Sequence, residues 1–139
     1  MDPVVTRRTA ILKTVAEFMS NQREPARSLD DECRYRVGGT DLKCAVGALI
    51  PDEHYTPKME GVSMQALLSR ERSDNHSNRT AVLKRALDAS GIHQDDWEFL
   101  KYIQEAHDLA DTENFMLQWR RGLLSVAAHF GLDSDVIPE

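Results

Sequence analysis

Long apolar runs are missing from this chain. Nothing in it approaches the roughly 20 consecutive apolar residues needed to cross a bilayer, so the sequence predicts no membrane-spanning helix. The opening MDPVVTRRTAILK has neither the apolar core nor the small-residue cleavage site of a secretory leader, which makes the cytosol the expected location. Repeats, low-complexity tracts and linkers are missing too, and the expectation is a single domain over residues 1–139. Blocks of one charge are also missing. The 17 Lys and Arg are mixed with 23 Asp and Glu for a net charge of −6, a balance that disfavours non-specific binding to nucleic acid. Gly38 and Gly39 lack the following Gly-Lys-Ser/Thr of a phosphate loop and the glycine spacing of a dinucleotide site, so no cofactor is expected.

Cysteine is scarce as well: Cys33 and Cys44 are the only two, eleven positions apart and on opposite sides of the glycine pair. A reducing cytosol opposes a disulfide between them, although opposite residues of a hairpin lie within bridging range. Two facing thiols could form half of a zinc site completed by His54 or His76. Zinc knuckles place their cysteines two to four residues apart, however, and no metal is expected here. Cys44 precedes the small-residue run AVGALI, and a thiol at a helix N-terminus can become nucleophilic. Burial on an apolar face would instead make it inert, the commoner fate of a cysteine.

The chain is rich in helical periodicity. Asp2 and Pro3 read as a cap and first-turn proline for a helix to about Asn21, with Ile11, Leu12, Val15, Phe18 and Met19 inward. AVGALI reads as a short buried helix ended by Pro51. Ser63 is expected to cap a helix to about Arg70, with Val62 and Leu67 as a hydrophobic staple. A helix over 78–90 has Val82, Leu83, Ala86 and Leu87 inward and ends at Gly91, with Ile92 folding back on Leu87. Asp95 with Glu98 predicts a capping box opening a helix to about Ala110, with Phe99, Ile103, Ala106 and Ala110 inward. The last helix, over 113–130, carries Phe115, Trp119, Leu123, Val126 and Phe130 inward and closes at Gly131. Gly122, at the edge of that stripe, would admit a close neighbouring backbone.

Residues 33–44 have a period of two. A two-residue turn at Gly38-Gly39 would pair Cys33 with Cys44, Tyr35 with Leu42 and Arg34 with Lys43. Cys33, Tyr35, Val37, Thr40, Leu42 and Cys44 would then share a buried face, and Arg34, Arg36, Asp41 and Lys43 the outer one. The fold class expected is mainly α: a single-domain helical bundle with one β-hairpin, in which CAVGALIP is the buried spine.

Functional candidates follow from this layout. Arg34, Arg36 and Lys43 on the outer hairpin face, with Tyr55 beyond, are the candidate binding residues, though a solvated face interrupted by Asp41 is the simpler explanation of the charges. Asp52 and Glu53 could cap a turn or accept a bond from Tyr55. Cys44 with His54 or His107 is the alternative, a cysteine-dependent enzyme. A histidine half-buried on a helix beside Leu100, as His107 would be, is more often a hydrogen-bonded helix contact than a base.

The stretch Cys33, Tyr35, Arg36, then Lys43 to Gly47, Leu49 to Asp52, Tyr55 and Met59 to Gly61 resembles a group of small uncharacterised proteins of tailed bacteriophages and prophages. His107, Asp108, Trp119, His129, Gly131 and Leu132 are similar to that group's C-terminal pattern. Gly-Gly-Thr stands in the turn where those proteins often have Asp-Gly. The resemblance brings no activity, substrate or cofactor. With the small size, it implies a cytoplasmic, non-enzymatic protein that binds a host protein for takeover or anti-defence. Nucleic-acid binding through the outer hairpin face is the third class considered.

Overall fold

The computed structural model describes residues 2–26, 34–38, 40–60, 62, 64–70 and 78–138. Expectations that concern Cys33, Gly39, Gly61, Ser63 and His76 lie outside those residues. The rest is mainly helical: α1 (Pro3–Gln22), α2 (Ala45–Leu49), α3 (Met64–Arg70), α4 (Asn78–Ala89), α5 (Trp97–Asp108) and α6 (Phe115–Phe130), with 3-10 turns at 52–54, 57–59, 94–96 and 134–136. Among the described residues no helix is long and apolar enough to cross a membrane.

Local chemistry explains where the helices begin and end. Asp2 Oδ1 accepts the Val4 N–H at 2.8 Å, and Pro3 follows at the first position, where its missing N–H costs nothing. Helices α4 and α6 end on glycines of positive φ, Gly91 and Gly131, each followed by a back-folded residue: the Ile92 N–H reaches the Leu87 carbonyl at 3.0 Å and the Leu132 N–H that of Ala127 at 2.8 Å. Arg23 takes the same left-handed conformation at the end of α1 without glycine's freedom.

Among the described residues two apolar clusters form the interior. The first joins α1, α5 and α6 through Leu12, Val15, Met19, Phe99, Ile103, Phe115, Trp119 and Leu123. The second joins the 35–62 segment to α3, α4 and the other side of α5 through Tyr35, Cys44, Ile50, Met59, Leu67, Leu83, Leu87, Trp97 and Leu100. Helix α5 therefore serves both. So does α2, with Ala45 in one cluster and Val46 in the other, and Leu49 packs against each. The expected spine CAVGALIP is thus a divider with two apolar sides. At Gly122 an added Cβ would lie 2.7 Å from Ala106 Cβ, so glycine there lets α6 close on α5 as its place in the stripe predicted.

Two expectations need correction. The hairpin reduces to one antiparallel bridge between Arg36 and Lys43, flanked by Val37 N–H to Leu42 carbonyl and Cys44 N–H to Tyr35 carbonyl, both 3.1 Å. The register is two residues off the expected one, and the described residues Gly38, Thr40 and Asp41 lie between the paired ones. Thr40 favours the longer loop: its hydroxyl donates to the Val37 carbonyl and accepts the Leu42 N–H. Cys44 faces Tyr35. Because a slip of two preserves facing, Tyr35 and Cys44 are still buried and Arg36 and Lys43 still lie on the other side.

The second correction concerns the start of α5. The capping box of Asp95 and Glu98 does not form, since the 3-10 turn at 94–96 runs directly into the helix. Asp96 instead is fully buried and receives Arg7 Nε at 2.6 Å and Arg8 Nε at 2.9 Å, while Arg8 Nη2 donates to the Asp95 carbonyl. Burial pushes this carboxyl up, but the hydrogen bonds and charges of the two arginines outweigh it and hold the group below the usual carboxylate range.

A carboxyl lowered in the folded state contributes stability above its unfolded value, about 4, and that contribution fades as pH falls through the lower native value. Asp96→Asn is expected to cost about 2 kcal/mol at pH 7, below the figure for a fully buried pair because both arginines keep a solvent edge. In urea unfolding against pH, the gap between wild type and variant should narrow below about pH 4.

Candidate functional site

The candidate site is built where residues 35–36 cross α2. An added Cβ on Gly47 would lie 2.1 Å from the Tyr35 carbonyl oxygen, so only glycine admits this crossing. The inner edge of the segment bonds to Cys44. Its outer edge meets Glu60, whose Oε1 accepts the Tyr35 N–H at 2.9 Å and Oε2 the Arg36 N–H at 3.0 Å. Oε2 also accepts the Tyr55 hydroxyl at 2.7 Å, and the Tyr35 hydroxyl donates to the Val62 carbonyl. Burial and the Glu60 carboxylate push the Tyr55 phenol up to about 12.

This clamp orients the Arg36 guanidinium. Nη2 donates to the Ile50 carbonyl at 2.7 Å, Nη1 to Asp52 Oδ1 at 2.6 Å, and the group lies 4.5 Å from the Tyr55 ring centroid. Arg36 Nε is buried and has no acceptor among the described residues. Lys43, directly opposite across the bridge, brings Nζ to 3.6 Å from the same Asp52 oxygen. Its backbone is held by Gln22, which accepts the Lys43 N–H at 2.9 Å and donates to its carbonyl at 2.7 Å. Asp52 itself is exposed, and the Arg36 hydrogen bond, the Arg36 charge and Lys43 hold its carboxyl below the usual range.

Together with Phe18, Thr40, Asp41 and Leu42, these three side chains line an open recess of about 480 Å3. Of the expected binding residues, Arg36 and Lys43 line it and Tyr55 backs Arg36 from the side. Arg34 does not line it; its backbone N–H donates to the Ala26 carbonyl at 2.9 Å. Asp52 accepts from Arg36, and the bond expected from Tyr55 goes to Glu60. Phe18, Glu60 and Gln22 were not legible as site residues. Glu60 sits in the Met-Glu-Gly stretch, but nothing there names its partners.

The enzyme candidates are arranged differently. Cys44 is fully buried, its Sγ accepts the Gly47 N–H at 3.3 Å as the cap of α2, and burial pushes the thiol far up. His107 is fully buried against Phe115 and Trp119. Its Nε2 accepts the Ala26 N–H at 3.0 Å, so the proton belongs on Nδ1, which donates to Asp108 Oδ1 at 2.8 Å. Gln104 extends the chain, donating to Asp108 at 2.8 Å and accepting the Val46 N–H at 3.0 Å. The basic nitrogen of His107 thus holds backbone in place. His54 pairs with Glu53 at 3.9 Å and lines a separate recess with Lys58 and Arg85. Neither histidine supplies the bond that Cys44 Sγ makes. Among the described residues no three His, Cys, Asp or Glu stand together as a metal site.

In the folded protein Cys44 should resist iodoacetamide at pH 7.5, as read by peptide mass mapping, and react fully once denatured. Rapid native alkylation would restore the enzyme hypothesis. Gly47→Ala should cost at least about 2 kcal/mol in denaturant unfolding, because its methyl meets backbone rather than a side chain that can rotate away.

Comparison with protein-family models, curated proteins and solved structures returned no match to this chain.

Proposed function

We propose that the protein is a non-enzymatic binding module, a small phage-like protein that engages a host protein in the bacterial cytoplasm to block defence or redirect host machinery. The observation that carries this reading is the gathering of Arg36, Lys43 and Asp52 with Phe18 and Leu42 around one solvent-open recess. Charged groups beside apolar ones suit a protein surface better than a small metabolite, which a closed, mostly apolar pocket would favour. The commitment of Cys44 to capping α2 and of His107 to the Ala26 amide supports binding over catalysis. The resemblance to phage proteins supplies the host as the source of the partner.

Lys43 and Asp41 are the residues to perturb, since replacing Arg36 would also break its bonds to Ile50 and Asp52 and its stacking on Tyr55. Tagged protein incubated in bacterial lysate should retain one stoichiometric protein by mass spectrometry. Lys43→Glu combined with Asp41→Lys should abolish retention, while Arg121→Glu on exposed α6 surface leaves it intact. Retention that survives the double variant, or of nucleic acid alone, would overturn the reading.

A further inference from the structure

We propose that the His107 imidazole and the Ala26 amide form a latch that a proton opens: the ring holds the segment leaving α1 only while its Nε2 carries no hydrogen. The device is independent of what the recess binds.

His107 is fully buried, and both of its ring nitrogens are committed. Nδ1 donates to Asp108 Oδ1 at 2.8 Å, and Nε2 accepts the Ala26 N–H at 3.0 Å. Ala26 is fully buried too and is held on its other side, where its carbonyl accepts the Arg34 N–H at 2.9 Å. One imidazole therefore ties α5 to the chain just ahead of Tyr35.

Because Nδ1 already carries a hydrogen, a further proton on this ring goes to Nε2. That turns the acceptor into a donor, and two N–H groups then face each other across 3.0 Å. Solvent does not reach the ring in place, so the new donor would be buried, charged and unpaired, a costly state for a protein interior. Asp108 pulls the other way, since its carboxylate favours an imidazolium beside it. Both demands are met once the Ala26 amide withdraws: Nδ1 keeps Asp108, which is 37% exposed, and the Nε2 hydrogen gains water. The open form thus takes up the proton more readily than the closed one, and by linkage acid favours opening.

The neighbouring groups do not take over this role. From α6 the ring meets only the apolar faces of Phe115 and Trp119 among the described residues. On its own helix Gln104 shares Asp108. In the 35–60 segment the charges of Asp108 and Glu60 reach the Tyr35 phenol and the Cys44 thiol, and burial pushes both of these far up, so they stay neutral. Arg23 and Glu24, the charged residues leading to Ala26, are exposed. The opening is also local. Glu60 still holds the Tyr35 and Arg36 amides, and Cys44 still reaches the Tyr35 carbonyl, so the movement centres on Ala26 and its bond to Arg34.

Amide hydrogen exchange, followed by 1H–15N NMR on the full-length protein between pH 8 and 5, reads the latch directly. After the intrinsic pH dependence of exchange is removed, protection of the Ala26 amide should fall toward the acid side by up to about tenfold per pH unit, the limit for one linked proton. The Leu123 amide within α6 reports global unfolding and should keep its protection. Long-range 1H–15N spectra at pH 8 should place the hydrogen of neutral His107 on Nδ1. His107→Gln gives Ala26 an acceptor that takes no proton in this range, and its Ala26 protection should stay level. An Ala26 amide unprotected at pH 8, or one that keeps pace with Leu123 at every pH, overturns the proposal. A hydrogen on Nε2 at pH 8 overturns it as well, as does an acid-side loss that persists in folded His107→Gln. The wild-type measurements decide the question even where that variant fails to fold.

Discussion

The candidate site depends on a side chain that is not there. Because Gly47 carries no Cβ, the Tyr35 carbonyl can lie against α2, and from that contact the remaining geometry follows in order. The Cys44 N–H reaches the same carbonyl, Arg36 comes opposite Lys43, and the guanidinium falls within reach of Ile50 and Asp52. Moving the segment away by the width of a methyl group would separate those partners together, because hydrogen bonds weaken steeply with distance and angle.

Around that contact, polar groups tie elements that the apolar clusters alone would leave free to slide. Asp96 fixes the start of α1 to the start of α5 through two arginines, and Arg8 also lies over the Phe99 and Phe130 rings. At the other end of α5, His107, Asp108 and Gln104 take up the backbone N–H groups of Ala26 and Val46. Helix α5 is thus pinned at both ends and packed on two sides. Apolar burial is non-directional; these bonds set its rotation and register.

The helices were legible because their apolar residues repeat at 3.6 and their ends carry strong local signals: Asp2-Pro3, Gly91-Ile92 and Gly131-Leu132. The alternation over 33–44 gave the facing of Tyr35, Cys44, Arg36 and Lys43 correctly, since period two survives a slip of two residues. Register was not legible, because Thr40 can brace a longer loop as readily as a glycine pair can make a short one. The choice between Asp95 and Asp96 was not legible either: it turns on Arg7 and Arg8, some 88 positions away. Glu60 is the same kind of case. A carboxylate whose partners are backbone amides 24 and 25 residues earlier leaves no trace in local pattern.

The Glu60 clamp also bears on how any other chain could approach. Residues 35–36 form the outer edge of the bridge, and an edge with free amides is a template for a further strand, whether from a partner or from aggregating copies. Here the carboxylate of Glu60 already caps both outward amides, so strand addition would first have to displace a charged, three-bonded acceptor. Recognition along this edge is thereby left to side chains, and self-association by edge pairing is blocked by the same residue that aims Arg36.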